Sequence, residues 1–239
     1  MKKTILLSIL LSTVGVSQIA SADTLALWTF EVSPPADLTD SATIAGLLAD
    51  SGTGTASGVH ASAATDWSTP SGNGSANSLS ANTWAIGDYF QFSTTTVGFE
   101  GVKVGWAQTS SGTGPGEFTL AYQVNGGGYT DYLNYTVLPN QAGAPGLGTW
   151  GGTEITGYNY LVDLSAITAL ANASTVDFRL VMRTTADSTP PGAVAAGGTS
   201  RVDNFVVTAT PVSVPEPSAL AIVGGFGLLG LFMAARHRE

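Results

Sequence analysis

Apolar and polar side chains alternate with a period of two along much of this chain. In the stretch Glu117–Val124, Phe118, Leu120, Tyr122 and Val124 share one face. Val176, Phe178, Leu180 and Met182 repeat the pattern, with Asp177, Arg179 and Arg183 opposite. Extended chain turns successive side chains to opposite faces, so this alternation predicts half-buried strands. Residues 24–30, 89–93, 98–108, 129–135, 159–164 and 201–209 are read as further strands. Asn125-Gly126-Gly127-Gly128, between two of them, supplies residues that tolerate the positive φ of a hairpin turn. Ser165 ahead of residues 166–170 predicts one short helical turn capped by its hydroxyl. Residues 49–81, rich in Gly, Ser, Thr and Ala, predict a loop crossing an edge of the fold, and residues 187–198 a second long excursion. About eight strands separated by Gly-rich turns predict an all-β fold, a two-sheet β-sandwich with a jelly roll as the favoured version.

The chain ends break this pattern. Lys2 and Lys3 precede an apolar stretch over residues 5–16, which leads to the small residues Ala20-Ser21-Ala22. That order predicts a secretory signal peptide over residues 1–22 and a mature start at Asp23. At the other end, Val214-Pro215-Glu216-Pro217-Ser218 leads into the uncharged run 219–235, and Arg236-His237-Arg238 follows. Pro215 and Pro217 hold Glu216 in extended chain and remove two backbone donors. Ser218 can cap a helix beyond them. At about 1.5 Å per residue the run spans roughly 25 Å, near the lower limit for crossing a bilayer. The arginines would hold its end on the cytoplasmic side. Residues 23–209 are then the β-domain and 210–214 a linker.

Charge and cysteine content narrow the partners. Residues 23–214 carry 15 acidic and four basic side chains (Lys103, Arg179, Arg183 and Arg201), in a chain of net charge −9. Nucleic-acid binding needs Lys and Arg clustered at phosphates, and these four do not cluster. Anionic lipid surfaces are disfavoured for the same reason. Cysteine is absent, which excludes a disulfide framework and a thiol nucleophile.

The segment from Pro215 to Glu239 resembles the PEP-CTERM sorting signal of Gram-negative bacteria. Pro215, Glu216 and Pro217 stand as its motif, residues 219–235 as its transmembrane helix, and Arg236 and Arg238 as its basic stop. The resemblance implies use of the export machinery, transient residence in the inner membrane, and processing by an exosortase-type membrane enzyme. It also implies a final place in the envelope, at the surface or outside the cell, in association with exopolysaccharide or biofilm. The block Ser200-Arg201-Val202-Asp203-Asn204-Phe205-Val206-Val207, together with Asp163-Leu164-Ser165, Phe178/Leu180 and Leu27-Trp28-Thr29-Phe30-Glu31, resembles secreted jelly-roll domains attached to this signal. Those are similar in pattern to carbohydrate-binding jelly rolls of glycoside hydrolases, in which a Glu closing the first strand and an Asp in the last commonly share a structural calcium. By that resemblance Glu31 and Asp203 are the matching positions. Calcium takes six to eight hard oxygens, so Asp37, Asp40 or Asp50 would supply a third carboxylate. The alternative is that Asp203 and Asn204 cap a strand edge, Glu31 is solvated and no cofactor is required.

The aromatic residues raise the question of a sugar ligand. Trp28 and Trp106 sit inside strand patterns and are read as core. Trp67, Trp84 and Trp150 lie in or beside Gly-rich stretches and are the candidates for stacking on a glycan, with the pinning of loops onto the sandwich as the alternative. Tyr129, Tyr132 and Tyr135, in a hairpin, carry the same ambiguity. Catalytic residues are not identified. The one histidine of the domain, His60, lies in a Ser/Ala/Gly-rich stretch and reads as an incidental surface residue, and catalytic zinc usually needs several ligands that this chain lacks. The main expectation is a non-catalytic envelope or matrix protein. A carbohydrate-binding module is the alternative, and a weak glycan-active enzyme the third.

Overall fold

The structure, a computed structural model, describes residues 21–141 and 147–212. Residues 1–20 of the expected signal peptide, the PEP-CTERM motif, the transmembrane helix and the basic tail lie outside the described residues.

Thirteen strands form in chain order: β1 (Asp23–Trp28), β2 (Thr43–Leu48), β3 (Ser51–Gly52), β4 (Gly54–Val59), β5 (Trp67–Ser68), β6 (Leu79–Ala81) and β7 (Tyr89–Thr94). Then follow β8 (Phe99–Ser110), β9 (Glu117–Val124), β10 (Thr130–Thr136), β11 (Asn159–Asp163), β12 (Val176–Met182) and β13 (Ser200–Pro211). One sheet runs β11-β8-β13-β1-β3, with β6 on β13 and β5 on β6; the second runs β10-β9-β12-β7-β4-β2. This is the two-sheet β-sandwich that the alternation predicts. Every strand read from the periodicity forms, with ends displaced by at most two residues. The last strand takes in Thr210 and Pro211, which were expected in the linker.

Between the sheets lies an aromatic core. Phe92 of the second sheet stacks on Phe205 of the first at 3.7 Å between ring centroids, and Trp28 packs edge-on against both. Burial of large aromatic area is the main stabilising contribution available to a chain without disulfides. The β9–β10 hairpin turns as its sequence predicts, with Asn125 at φ 49° and Gly126 at φ 73°.

Two expectations are corrected. Residues 49–81 are not a wandering loop: they hold β3 to β6, and β4 is an interior strand of the second sheet. Its sequence, Gly-Thr-Ala-Ser-Gly-Val, lacks large apolar residues because tryptophans from elsewhere fill the space above it. A Cβ on Gly54 would stand 2.6 Å from the Trp28 ring, and one on Gly58 would clash with the Trp67 ring. The expected turn after Ser165 is a 3₁₀ helix over Thr168–Leu170 without a side-chain cap. Asp163 accepts the Ser165 N–H instead, at 2.9 Å.

Candidate functional site

Glu31 and Asp203 converge on one loop, but as hydrogen-bond acceptors. Asp203 pairs with Ala107 across β13 and β8 and is fully buried. Its Oδ2 accepts from the Asn73 N–H (2.8 Å), the Ser75 hydroxyl (2.7 Å) and the Asn204 amide (3.2 Å), and its Oδ1 from the Asn204 N–H (2.7 Å). Glu31 Oε1 accepts the Asn77 N–H at 2.7 Å. Burial pushes the Asp203 pKa up to about 6 against the pull of these hydrogen bonds, and the charge of Glu31 adds to the rise.

Two of the three acids expected to complete a calcium site, Asp37 and Asp50, have carboxylates engaged elsewhere. Asp50 accepts from Thr29, Val32 and Ser33, and Asp37 from the Thr69 N–H. The Asp40 N–H donates to Asp66. Among the described residues no group of three His, Cys, Asp or Glu side chains is placed to hold a metal ion. N–H and O–H donors take up lone pairs of Asp203 that calcium would otherwise use.

The three candidate tryptophans are interior residues. Trp67, Trp84 and Trp150 are 1%, 7% and 4% exposed, which removes them as an open stacking platform. Trp67 and Trp84 bond the Ser41 and Ala81 carbonyls through their indole N–H groups, both at 2.8 Å. Trp150 packs with Ala107 and Tyr158 in a small second cluster on the outer side of the first sheet. Segments made of small residues have little else to bury, so a tryptophan in each pins it to the sandwich. His60 is likewise internal rather than a surface residue. Its ring lies 4.9 Å from that of Trp67 and 4.2 Å from that of Trp84, and its Nδ1 is 3.1 Å from the Thr65 hydroxyl. Burial lowers its pKa to about 4, although Asp88 pulls the other way.

A cluster of polar and aromatic side chains, half-buried apart from the buried Asp177, lies on the outer face of the second sheet. Phe178, Leu180 and Met182 of β12 point into the core, so Asp177 and Arg179 face outward. Register places Arg179 between Ala121 of β9 and Gln91 of β7, and Asp177 between Gln123 and Ser93. The small side chain of Ala121 leaves room for Tyr129, which follows the hairpin turn. The Arg179 guanidinium lies between two rings, 3.8 Å from the centroid of Tyr89 and 3.6 Å from that of Tyr129. Gln91 Oε1 accepts from Arg179 Nε at 2.8 Å and from the Tyr129 hydroxyl at 2.9 Å. Two donors on one atom settle which end of the Gln91 amide is oxygen. Burial pushes the Tyr129 pKa up to about 12, with Arg179 opposing, so the phenol stays a donor at ordinary pH.

Arg179 also differs from the other basic side chains of the domain. Lys103 pairs with Asp163 at 3.1 Å and Arg183 with Glu117 at 2.6 Å, while Arg201 donates to the Ser71 carbonyl and lies over Trp150. Among the described residues Arg179 has no carboxylate partner, and its Nε makes its one side-chain hydrogen bond. Sequence reading missed Arg179, Gln91 and Tyr89. The available signal was a strand whose outward positions carry an arginine.

A groove of about 600 Å³ on the first sheet has Gly105 and Ala107 among its lining residues, with Asn73, Asn159 and Glu154 beside them. Its polar groups are largely spent on one another: Asn73 donates to Asn159 (3.0 Å), and Asn159 to Glu154 (2.6 Å).

Family models and curated proteins yield no match to this chain. Among solved structures it is similar to the K2 cleaved adhesin domain of Lys-gingipain (Kgp), at 18% identity over 80% of this chain and 98% of that one, with a TM-score of 0.39. The mannan-recognising carbohydrate-binding module TmCBM27 gives 12% identity over 80% and 99%, with a TM-score of 0.40. The N-terminal cellulose-binding domain of Cellulomonas fimi β-1,4-glucanase C gives 13% over 62% and 85%, with a TM-score of 0.33. TM-scores of this size carry no argument about function, and what the Arg179 face does must follow from its own geometry.

Proposed function

We propose that this chain is an exported, non-catalytic carbohydrate-binding protein whose binding surface is the outer face of the second sheet around Tyr89, Arg179 and Tyr129. The observation that carries this reading is the locked Tyr89–Arg179–Tyr129 stack, set beside Gln91, Ser93, Gln123 and Asp177. Aromatic edges and outer ring faces suit the CH faces of sugars, and a few fixed amide, hydroxyl and charged groups beside them suit ring hydroxyls. The strands hold this arrangement ready before any ligand arrives, which lowers the entropic cost of binding.

The non-catalytic part of the proposal draws support from His60. A ring enclosed by two tryptophans, with its proton affinity lowered by burial, is poorly placed as a solvent-facing general base. The route is proposed from the terminal segments: export through the N-terminal signal, processing at Pro215-Glu216-Pro217 by an exosortase-type enzyme, and delivery to an envelope rich in exopolysaccharide.

A glycan array probed with the full chain in detergent tests the reading. Binding should fall about tenfold or more in Tyr129→Ala while the far-ultraviolet spectrum of the sandwich is kept. Failure to bind any glycan would remove the proposal.

A further inference from the structure

We infer that the Tyr89–Arg179–Tyr129 face selects a glycan bearing isolated carboxylates, such as a mostly neutral polymer carrying uronic-acid units, through in-plane pairing of a carboxylate with Arg179. This deepens the carbohydrate-binding reading and rests on it.

Three observations lead there. First, both flat faces of the guanidinium are covered by tyrosine rings at 3.8 and 3.6 Å, and its Nε edge is taken by Gln91. What remains is the outer edge formed by the two terminal nitrogens, the edge that matches the paired oxygens of a carboxylate. A neutral sugar stacking on that cation would find its faces already occupied. Second, Arg179 is the basic side chain of the domain that neither a carboxylate nor a backbone carbonyl holds, among the described residues. A guanidinium fixed in its plane by two rings and a glutamine has already lost the rotamer freedom that a flexible arginine would lose on binding.

Third, the surrounding charge limits how acidic the ligand can be. Asp177 stands two residues away on the same face, and the whole chain carries a net charge of −9. On the adjoining strands, Glu117 is neutralised by Arg183, and Asp131 is exposed at the register position opposite Ala121. A densely charged polyanion would meet this field along its length, whereas a ligand with a single carboxylate pairs it with Arg179 and brings no further negative charge to the face.

The experiment compares matched glycans on one array: neutral oligosaccharides, the same backbones carrying one glucuronic acid, sulfated counterparts, and oligogalacturonate as a densely carboxylated probe. The full chain in detergent is expected to favour the singly carboxylated members over their neutral partners. In Arg179→Gln that preference should fall about tenfold to a hundredfold, in line with loss of a charge-assisted pair. Arg179→Lys, which keeps the charge but not the fork, should recover only part of it. Arg183→Gln, which removes a nearby cation already paired with Glu117, should leave the preference in place.

A second measurement does not depend on how any variant folds. For the unaltered chain, about 0.5 M NaCl should weaken binding of the carboxylated member and spare any binding of the neutral one. Equal binding of neutral and carboxylated members would overturn the inference while leaving carbohydrate binding in place. Preference for the sulfated members or for oligogalacturonate would also overturn it. Binding to no member would overturn both readings.

Discussion

The ring of Trp67 occupies the space that a side chain at Gly58 would need. Trp67 lies on the short strand β5 of the first sheet, and Gly58 on β4 of the second, so the ring bridges the two layers. Gly58→Ala should therefore destabilise the fold by about 1–3 kcal/mol, the usual cost of forcing extra atoms into a packed core. Trp67→Ala should cost about 3–5 kcal/mol through the cavity it leaves. Urea titration measures both. If either variant lost glycan binding with its unfolding midpoint unchanged, the assignment of Trp67 to the core would be wrong.

His60 and Asp203 make the stability depend on pH in opposite directions. The His60 pKa falls from 6.5 to about 4 on folding, so the unfolded chain binds more protons between those values. Its contribution is lost as pH drops from about 6.5 to about 4. Burial raises the Asp203 pKa from 3.8 to about 6, so its contribution is fully present below 3.8 and is lost as pH rises through 6. The two offset each other in one window. His60→Gln should unmask the Asp203 effect, giving a melting temperature that rises on acidification from pH 6.5 to 4 more than that of the unaltered chain. Calorimetric scans at several pH values check this, and an unchanged profile would contradict the assigned burial of His60.

Four donors on the Asp203 carboxylate already tie the loop around Asn73 to β13. EDTA should leave the melting temperature unchanged, because only a ligand bound to the native state raises it. Asp203→Ala should cost about 2–4 kcal/mol by leaving the buried N–H of Asn73 and the half-buried N–H of Asn204 unpaired. A clear fall in melting temperature with EDTA, reversed by added calcium, would reinstate the metal site at Glu31 and Asp203.

Processing can be tested separately from binding. Glu216→Ala in the native host should block removal of the C-terminal segment, leaving a mature protein heavier by that segment in mass spectrometry. A normal mass would contradict the reading of Pro215-Glu216-Pro217 as a sorting motif.

The strands with strong alternation were legible because each carries large apolar residues on its own inner face. β9 and β12 were read with their ends correct. β4 was not legible, because the residues that fill the core beside it belong to other segments; β2 breaks its register between Ile44 and Leu47, and β3, β5 and β6 are too short to show a period. Gly54 and Gly58 look like loop residues until Trp28 and Trp67 are placed above them. The same cause misplaced the candidate site. Trp67, Trp84 and Trp150 stand among small polar residues, which suggests exposure, yet the fold turns each ring inward.

By itself the sequence determined the fold class, the faces of the main strands, the hairpin at Asn125-Gly126, and the acidic, cysteine-free character of the domain. These follow from local rules: the two-residue period of extended chain, the φ preferences of Asn and Gly, and a count of charges. Only the tertiary structure decided which aromatics are buried, that His60 lies between two tryptophans, that Asp203 is a hydrogen-bond hub, and that Arg179 is clamped between Tyr89 and Tyr129. Many of those relationships join residues far apart in the chain, as Asn73 and Asp203 are at 130 positions. They depend on strand order and register across two sheets, which no local pattern encodes.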